Sequence, residues 1–569
     1  MNAERLLDHY EQIAEAPDAI AMLRRFILDL AVRGKLVSQE PADERASEIL
    51  RRIAAEKTRL GLKSEESLAP KGEGPFELPP GWCWGRIGEI CSKTGSGSTP
   101  RGGQEVYKKS GIPFLRSQNV YNDGLRLDDV AYIDPATHER MAGTMVQPND
   151  LLLNITGGSM GRCCRVPESF ETANISQHVA ILRPAHPGVD QFLHKLVLSP
   201  YFQAFIFGEQ TGAGRGCLPK NRMDKIAIAL PPLEEQRRIV AKVNELMILC
   251  DLMAAARADR EGARDRLAAA SLARLKTPDA DTFKDDARFA LEALPALTAR
   301  PDQIKKFRQT ILNLAVRGKL VPQDASDEPA AELLKQIASE KGRPRRATVS
   351  IERDDEPFAV PRGWKWAALD ELITAGPQNG VSPQPTTRED APMAITLTAT
   401  TSGTFNGAHF KRVEASIPDD SDFWLRDGDL LFQRGNTRDY VGMSAIYRGP
   451  PKTFLFPDLI MRVTISSLVD LQFVHLATIS PIARAYFSEN ASGAQATMPK
   501  INQTTLVSLP IPLPPLAEQR RIVAKVDELT ALCDQLGASL TVADASRRRL
   551  LDALLAEALA PAGQDLEAA

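Results

Sequence analysis

The chain is written twice. Ile27 to Gln39 reads ILDLAVRGKLVSQ and Ile311 to Gln323 reads ILNLAVRGKLVPQ, with 11 of 13 positions identical. Pro231 to Asp251 reads PPLEEQRRIVAKVNELMILCD and Pro514 to Asp534 reads PPLAEQRRIVAKVDELTALCD, with 17 of 21 identical. The offsets are 311 − 27 = 284 and 514 − 231 = 283. A looser match pairs Phe76–Trp84 (FELPPGWCW) with Phe358–Trp366 (FAVPRGWKW). A repeat this long is no solenoid. The 569 residues are therefore two copies of one unit and not a series of unrelated domains.

Each copy has the same order: a helical segment carrying LAVRGKLV, a polar linker (about 55–80 and 341–361), a Trp-x-Trp signal, a body, and a long helix. The expected division is a helical segment and linker over 1–78, a first body over 79–232 and a long helix over 233–276. A linker and second helical segment follow over 277–358, then a second body over 359–515, a long helix over 516–560 and a disordered tail over 561–569. Short apolar runs bounded by Gly, Pro, Asn and Asp predict strands at 151–155, 179–182, 394–397, 429–432 and 459–465. Helical periodicity covers 192–207 and 473–487. The bodies thus read as mixed α/β. Ile239, Val243, Leu246, Cys250 and Met253 step by 4, 3, 4, 3, as do Ile522, Val526, Leu529, Cys533 and Leu536. Such seams predict either an antiparallel, pseudo-twofold coiled-coil pair of the two long helices or packing of each on its own body.

Several chemistries are missing. No apolar run is long enough to span a membrane and no signal core opens the chain, which predicts a cytoplasmic protein. Seven cysteines without CxxC spacing, and seven histidines without an i, i+4 pair, predict neither disulfides nor a metal site. The glycine-rich 95–103 and 212–216 lack the Gly-Lys-Ser/Thr of a phosphate loop, and no G-x-S-x-G elbow exists. No Pro-Pro is preceded by Asn or Asp and followed by an aromatic residue, as a base amino-methyltransferase requires. By elimination the chain is a binding protein and no enzyme.

The bodies differ most in glycine-containing loops rich in groups that can meet a nucleic acid. Glycine lets backbone approach a phosphate, Arg can read guanine, and Asn or Gln can read adenine. The candidates in the first body are Thr99, Arg101, Arg116, Gln118, Asn119, Ser159, Arg162, Arg215, Lys220, Asn221 and Arg222. In the second they are Gln378, Asn379, Thr398, Thr400, Lys411, Arg434, Asn436, Arg438, Lys500 and Asn502. The net charge is only −3. From 81 to 232 there are 16 Lys/Arg against 13 Asp/Glu; from 363 to 515 there are 12 against 14. Neither body is a polycation, so any nucleic-acid affinity is local or shared with a partner.

The duplicated PPLxEQRRIVxKV helices, the Gly-Trp-x-Trp lead-ins, the Asp-Leu-Leu strands at 150 and 429, the Pro-Lys pairs at 219 and 499 and the LAVRGKL segments resemble the specificity subunit of type I restriction-modification enzymes. The resemblance runs from about Leu23 to Leu559. It implies two target recognition domains, each reading half of a bipartite asymmetric site in double-stranded DNA. It implies long helices that set the half-site spacing and dock two methyltransferase subunits, and two further motor-nuclease subunits. The helix residues singled out for this are Glu235, Gln236, Arg237, Ile239, Val243 and Leu246, with Glu518, Gln519, Arg520, Ile522, Val526 and Leu529. S-adenosylmethionine, ATP and Mg would be used by the other subunits and no cofactor by this chain. The alternatives are a coiled-coil scaffold with protein-binding bodies, or a methylation-only complex.

Overall fold

The computed structural model describes residues 15–16, 18–62, 74–208, 217–276, 289, 300–340, 351, 356–492 and 498–559. Of the expected features, the 561–569 tail and most of the 277–299 linker lie outside these residues. The chain forms two compact units, 1–260 with 544–569, and 261–543. Among the described residues no helix is long and apolar enough to cross a membrane.

Among the described residues the first unit opens with α1 (Ala19–Val32) and α2 (Ala46–Arg59). Its body is entered by β1 (Cys83–Arg86) and left by β10 (Ala227–Leu230), which pair antiparallel with Trp84 opposite Ala229. The two ends of the body are thereby clamped side by side. Between them lies an antiparallel sheet in the order β2 (Cys91–Ser96), β9 (Val179–Pro184), β6 (Leu151–Asn154), β7 (Cys163–Arg165). A mixed sheet follows the order β4 (Ala131–Ile133), β3 (Ile112–Leu115), β8 (Ala173–Ile175), β5 (Met145–Val146). β6 is buried along its whole length. Leu151 and Leu153 join the core beneath α3 (Asp190–Leu198) and α4 (Pro200–Phe207), while Leu152 faces the core with Leu115 and Ile175. A strand covered on both faces must read as a continuous apolar run, which is why Asp-Leu-Leu-Leu was legible.

The second unit repeats this plan. α6 (Pro301–Val316) and α7 (Ala330–Glu340) precede β11 (Lys365–Ala368), which pairs with β19 (Pro510–Leu513). The main sheet runs β12 (Ile373–Asn379), β18 (Ile460–Ile465), β15 (Leu430–Gln433), β16 (Ser444–Ile446), the same order as in the first unit. The smaller sheet has three strands, β14 (Phe410–Arg412), β13 (Met393–Ile395) and β17 (Phe454–Leu455). The continuous helices expected over 192–207 and 473–487 are each broken in two. α8 (Leu471–Ile479) stops before Ser480, and α9 (Pro481–Asn490) starts after it. Proline cannot donate to the preceding turn, and Ser199 and Ser480 cap the new helix, accepting from the backbone N–H of Phe202 and Ala483.

The long helices are α5 (Leu233–Lys276) and α10 (Leu516–Leu559). Each belongs to one unit at its start and the other at its end. At the start of α5 three motifs meet on one carboxylate. Glu235 accepts from Trp82 Nε1 at 3.0 Å and from Gln39 Nε2 at 3.0 Å. Glu518 accepts from Trp364 Nε1 at 2.9 Å and Gln323 Nε2 at 3.1 Å. Beside them Arg238 pairs with Asp43 and Arg521 with Asp327, both at 2.6 Å. Gly34 (φ 67°) and Gly318 (φ 65°) end the LAVRG helices in the left-handed region, and a Cβ on either would strike Pro79 or Pro361.

The seam residues pack on the LAVRGKL helices. Ile239, Val243 and Cys250 share the first core with Ile27, Leu28 and Ala31 of α1. On another face of α1, Phe26 and Leu30 pack with Leu551 and Leu555 of α10. In the second unit Ile522, Val526 and Cys533 share a core with Ile304, Phe307 and Ile311 of α6 and with Leu272 of α5. Arg257 donates to Ala16 O and Gln39 to Glu235, so α1 runs antiparallel to α5; Lys35 donates to Leu559 O, bringing the end of α10 toward the start of α5. The LAVRGKL helix is thus packed on two sides by long helices. This corrects one expectation about docking. Glu235, Gln236, Ile239, Val243, Glu518, Gln519, Ile522 and Val526 are buried within the units and offer no surface to a partner. The Gln236 and Gln519 amides are bonded to Pro231 O and Pro514 O. Leu246 and Leu529 are half-buried, and only Arg237 and Arg520 of this set are exposed.

Burial raises the Glu235 and Glu518 carboxyls, against the bonds from Gln and Trp that favour the charge. Glu235→Ala leaves the buried Trp82 indole N–H without an acceptor, while Gln39 keeps its bonds to Gly34 O and Val37 O, and should cost about 1–3 kcal/mol in urea unfolding of the full chain. Glu235→Gln, which keeps an acceptor for Trp82, should cost about 1 kcal/mol. A second pair of twins gives a pH dependence. His194 meets Cys163 O at 3.0 Å and His475 meets Ser444 O at 3.2 Å, each beneath the outer strand of its sheet. Burial pushes His194 down to about 4 and lowers His475 as well. Below about pH 6.5 the unfolded chain takes up protons that these imidazoles refuse. Stability should therefore fall as pH drops toward 4, by up to about 1.4 kcal/mol per unit for each histidine, and His194→Gln should flatten that slope in unfolding curves.

Candidate nucleic-acid interface

At one end of each main sheet the same backbone ladder ties the loops together. In the first body Gly97 N donates to Val179 O, Ser98 N to Ile175 O, Ile155 N to His178 O and Leu218 N to Ile155 O. In the second Gly380 N donates to Ile460 O, Val381 N to Phe456 O, Arg434 N to Leu459 O and Ile501 N to Arg434 O. The loop after β2 or β12, the turn before β9 or β18, the glycine loop after β6 or β15, and the Pro-Lys segment lie side by side. A short 3-10 turn, Ser117–Asn119 or Leu397–Thr400, adds a further element.

The candidate residues divide by what their side chains already do. In the first body Thr99, Arg101 and Asn221 are exposed. Gln118 is exposed and donates to Asp129 Oδ2 at 2.8 Å, while Arg116 donates to Asp129 O at 3.2 Å. Arg162 lies over the Tyr121 ring, 4.7 Å from its centroid, which fixes the guanidinium and leaves its edge for hydrogen bonding. Lys220 is exposed and paired with Asp224, and Arg222 donates to Phe205 O. Ser159 is half-buried and accepts from Asn154. Arg215 lies outside the described residues. In the second body Thr398, Arg438, Lys500 and Asn502 are exposed, Arg434 is half-buried, and Arg438 leans on Ser488 O. Lys411 lies in the smaller sheet, opposite Ala394.

Several candidates are consumed by the fold. Asn119 is 2% exposed; its carboxamide accepts from Arg116 N and donates to Arg126 O, closing the turn. Thr400 is fully buried and hydrogen-bonded to Leu397 O. Gln378 accepts from Arg462 at 2.6 Å. Asn436 is bonded to Gln433 and to the backbone N–H of Thr437. Asn502 caps the 503–507 helix through Thr505 N. Asn379 is half-buried, with Oδ1 enclosed and unbonded among the described residues. Two of these are corrections, Asn119 and Thr400, whose polar groups are buried and close turns; Gln378, Asn436 and Asn502 also hold loops in place, but Gln378 and Asn436 are only half-buried and Asn502 is exposed.

The same surface contains residues that sequence reasoning missed. Gln177 and His178 are exposed in the turn before β9, with His178 Nδ1 2.7 Å from Thr156 Oγ1. Asp458 occupies the matching place before β18 and accepts a 2.6 Å hydrogen bond from Ser382, in the loop after β12. The one signal for Gln177, His178 and Asp458 was position: polar residues directly before a buried strand in both copies. Among the described residues no group of His, Cys, Asp and Glu could hold a metal ion.

A family model described as the type I restriction modification DNA specificity domain matches residues 79–258 and 395–541. The chain belongs to this family. It is similar to the EcoEI specificity subunit of Escherichia coli, a type I restriction enzyme component, at 29% identity over 95% of this chain and 94% of that one. It is similar to the EcoAI specificity subunit of Escherichia coli at 28% identity, over 94% and 93%. Among solved structures, the HsdS subunit from Thermoanaerobacter tengcongensis is 19% identical, covers 86% of this chain and 98% of its own, and has a TM-score of 0.42. The protein is a type I restriction-modification specificity subunit, and its function is DNA recognition within such a system.

Adjacent residues in the 117–119 turn separate surface from scaffold. Gln118→Ala should leave the thermal midpoint unchanged and alter sequence selectivity. Asn119→Ala removes two hydrogen bonds from a buried turn and should cost about 1–3 kcal/mol in denaturant unfolding.

Proposed function

We propose that each body of this specificity subunit reads one half of a split, asymmetric target in double-stranded DNA. The observation that supports this best is the twin ladder. Both bodies present loops from the same positions on the same sheet, yet the exposed residues differ in kind: Thr99, Arg101, Gln118, Gln177 and His178 in one, Ser382, Thr398, Arg438, Asp458 and Lys500 in the other. Equal frames with unequal reading groups suit a target whose halves have unlike sequences. Arg162, held over the Tyr121 ring, supports this reading, since a guanidinium can offer two parallel donors to a guanine edge or a phosphate.

In this reading the chain performs no chemistry. Two methyltransferase subunits dock on it, and two motor-nuclease subunits complete the complex. Those subunits use S-adenosylmethionine, ATP and Mg. Docking uses outward groups such as Arg237 and Arg520, since Glu235, Gln236, Ile239 and Val243 and their counterparts in the second copy are enclosed. The net charge of −3 assigns much of the phosphate contact to partners.

Replacing 363–515 with the body of a relative should change one half-site and leave the other, as read by methylome sequencing; changes in both halves would overturn modular reading. The chain alone should bind DNA weakly, with a steep loss on adding salt, and far more tightly with methyltransferase bound. Equal affinity in titrations of the two states would reject that division of labour.

A further inference from the structure

A buried carboxamide sits at one register position in both bodies. Asn154 and Gln433 each lie four residues beyond the aspartate of the Asp-Leu-Leu strand, and both are fully buried. Their backbones do the same work. Asn154 N donates to Arg162 O, and Asn154 O accepts from Gly161 N; Gln433 N donates to Met443 O, and Gln433 O accepts from Gly442 N. Each residue thereby closes the base of its glycine loop. The side chains also act alike. Asn154 Nδ2 donates to Ser117 O at 2.8 Å and Ser159 Oγ at 3.1 Å. Gln433 Nε2 donates to Leu397 O at 2.9 Å, Thr400 Oγ1 at 3.0 Å and Thr401 Oγ1 at 3.1 Å. Ser117 and Leu397 are both the second residue after their strands, β3 and β13, and both start the 3-10 turn.

We propose that Asn154 and Gln433 are positioning residues for sequence selectivity, each setting the place of the 3-10 reading turn relative to the glycine loop of its own body. The inference rests on the reading of these loops as DNA-facing. Asn154 bridges the turn carbonyl and a loop hydroxyl with its two amide protons, while Gln433 donates to the turn and accepts from Asn436 Nδ2 of the glycine loop with Oε1. The pair differs by one methylene, and the distances to the turn carbonyl differ by 0.1 Å. The turn is therefore tied to its sheet by the same kind of bond in bodies whose loops share almost no residues. Hydrogen bonding to bases is sensitive to displacements well below 1 Å, so a released turn should read less sharply while DNA is still bound.

The test uses the full chain with its methyltransferase, methylating a library of duplexes in which each half-site is varied in turn. Asn154→Leu removes the donor at similar volume and should lower discrimination about tenfold in the half-site read by the first body, leaving the other half unchanged. Gln433→Met should do the same for the second. Where Asn154→Leu does not fold, Ser159→Ala and Thr401→Val each delete one acceptor and should produce a smaller loss confined to the same half-site. Lowered thermal stability with discrimination intact in both halves would overturn the proposal and leave these amides merely structural. An equal loss in both half-sites would also overturn it. Gln118→Ala and Arg162→Ala identify which idea has failed. If they relax one half-site while the buried variants do not, positioning is wrong. If neither they nor the buried variants alter selectivity, the DNA-facing reading of the loops is wrong.

Discussion

The buried carboxylate at the start of each long helix holds the architecture together. Glu235 binds the tryptophan that leads into the body and the glutamine that ends the LAVRGKL segment. Three stretches far apart in sequence are thereby fixed at one point, the base of the helix that leaves the body. The antiparallel pair β1–β10 then brings both ends of the body to that point. A body held at both ends on the root of a rigid helix has little freedom to swing. That rigidity is what a reader of DNA needs if its half-site must lie at a set distance from another. The same bonds recur through Glu518, Trp364 and Gln323, so both bodies are mounted alike.

Behind the loops the interior is spent on holding the sheet. Asp150 is fully buried and bonded by Arg183 through both oxygens at 2.7 Å. The equivalent Asp429 meets Arg462, whose other donors reach Gln378 and Trp424 O. The buried histidines tie α3 to β7 and α8 to β16. These polar groups lie inside mostly apolar cores, where leaving any one unpaired is costly. Substitution there would disturb the frame, so variation is tolerated where groups face water. Unlike loops on like frames follow from this energetic division.

The duplication, the long helices and the doubly covered Asp-Leu-Leu strand were legible because each leaves a periodic or repeated mark in the sequence. The broken helices at Ser199-Pro200 and Ser480-Pro481 carried a visible signal too, but apolar periodicity continued across the break and masked it. The site was legible only as a set of loops. Gln118 and Asn119 are neighbours of similar chemistry, yet one is exposed and the other closes a turn. No local pattern separates them, since burial here depends on Arg126, which returns from the far side of a hairpin. Residues such as Gln177 and Asp458 were hidden for the opposite reason. Each stands in a short turn with no glycine or basic residue to draw attention.

The composition also takes on a sharper meaning. Most of the arginines in the frame are already neutralised: Arg183 by Asp150, Arg165 by Asp190, Arg238 by Asp43 and Arg521 by Asp327. Charge inside these pairs contributes almost nothing to the field felt by a polyanion. A near-zero total therefore does not describe the reading surface, where Arg101, Arg162, Arg434 and Lys500 stand outside any such pair among the described residues. A few directed cations are too few to hold a duplex by counterion release alone, because that term grows with the number of phosphates neutralised. Under the proposed division of labour they discriminate one base edge from another and leave the remaining phosphate contacts to partners.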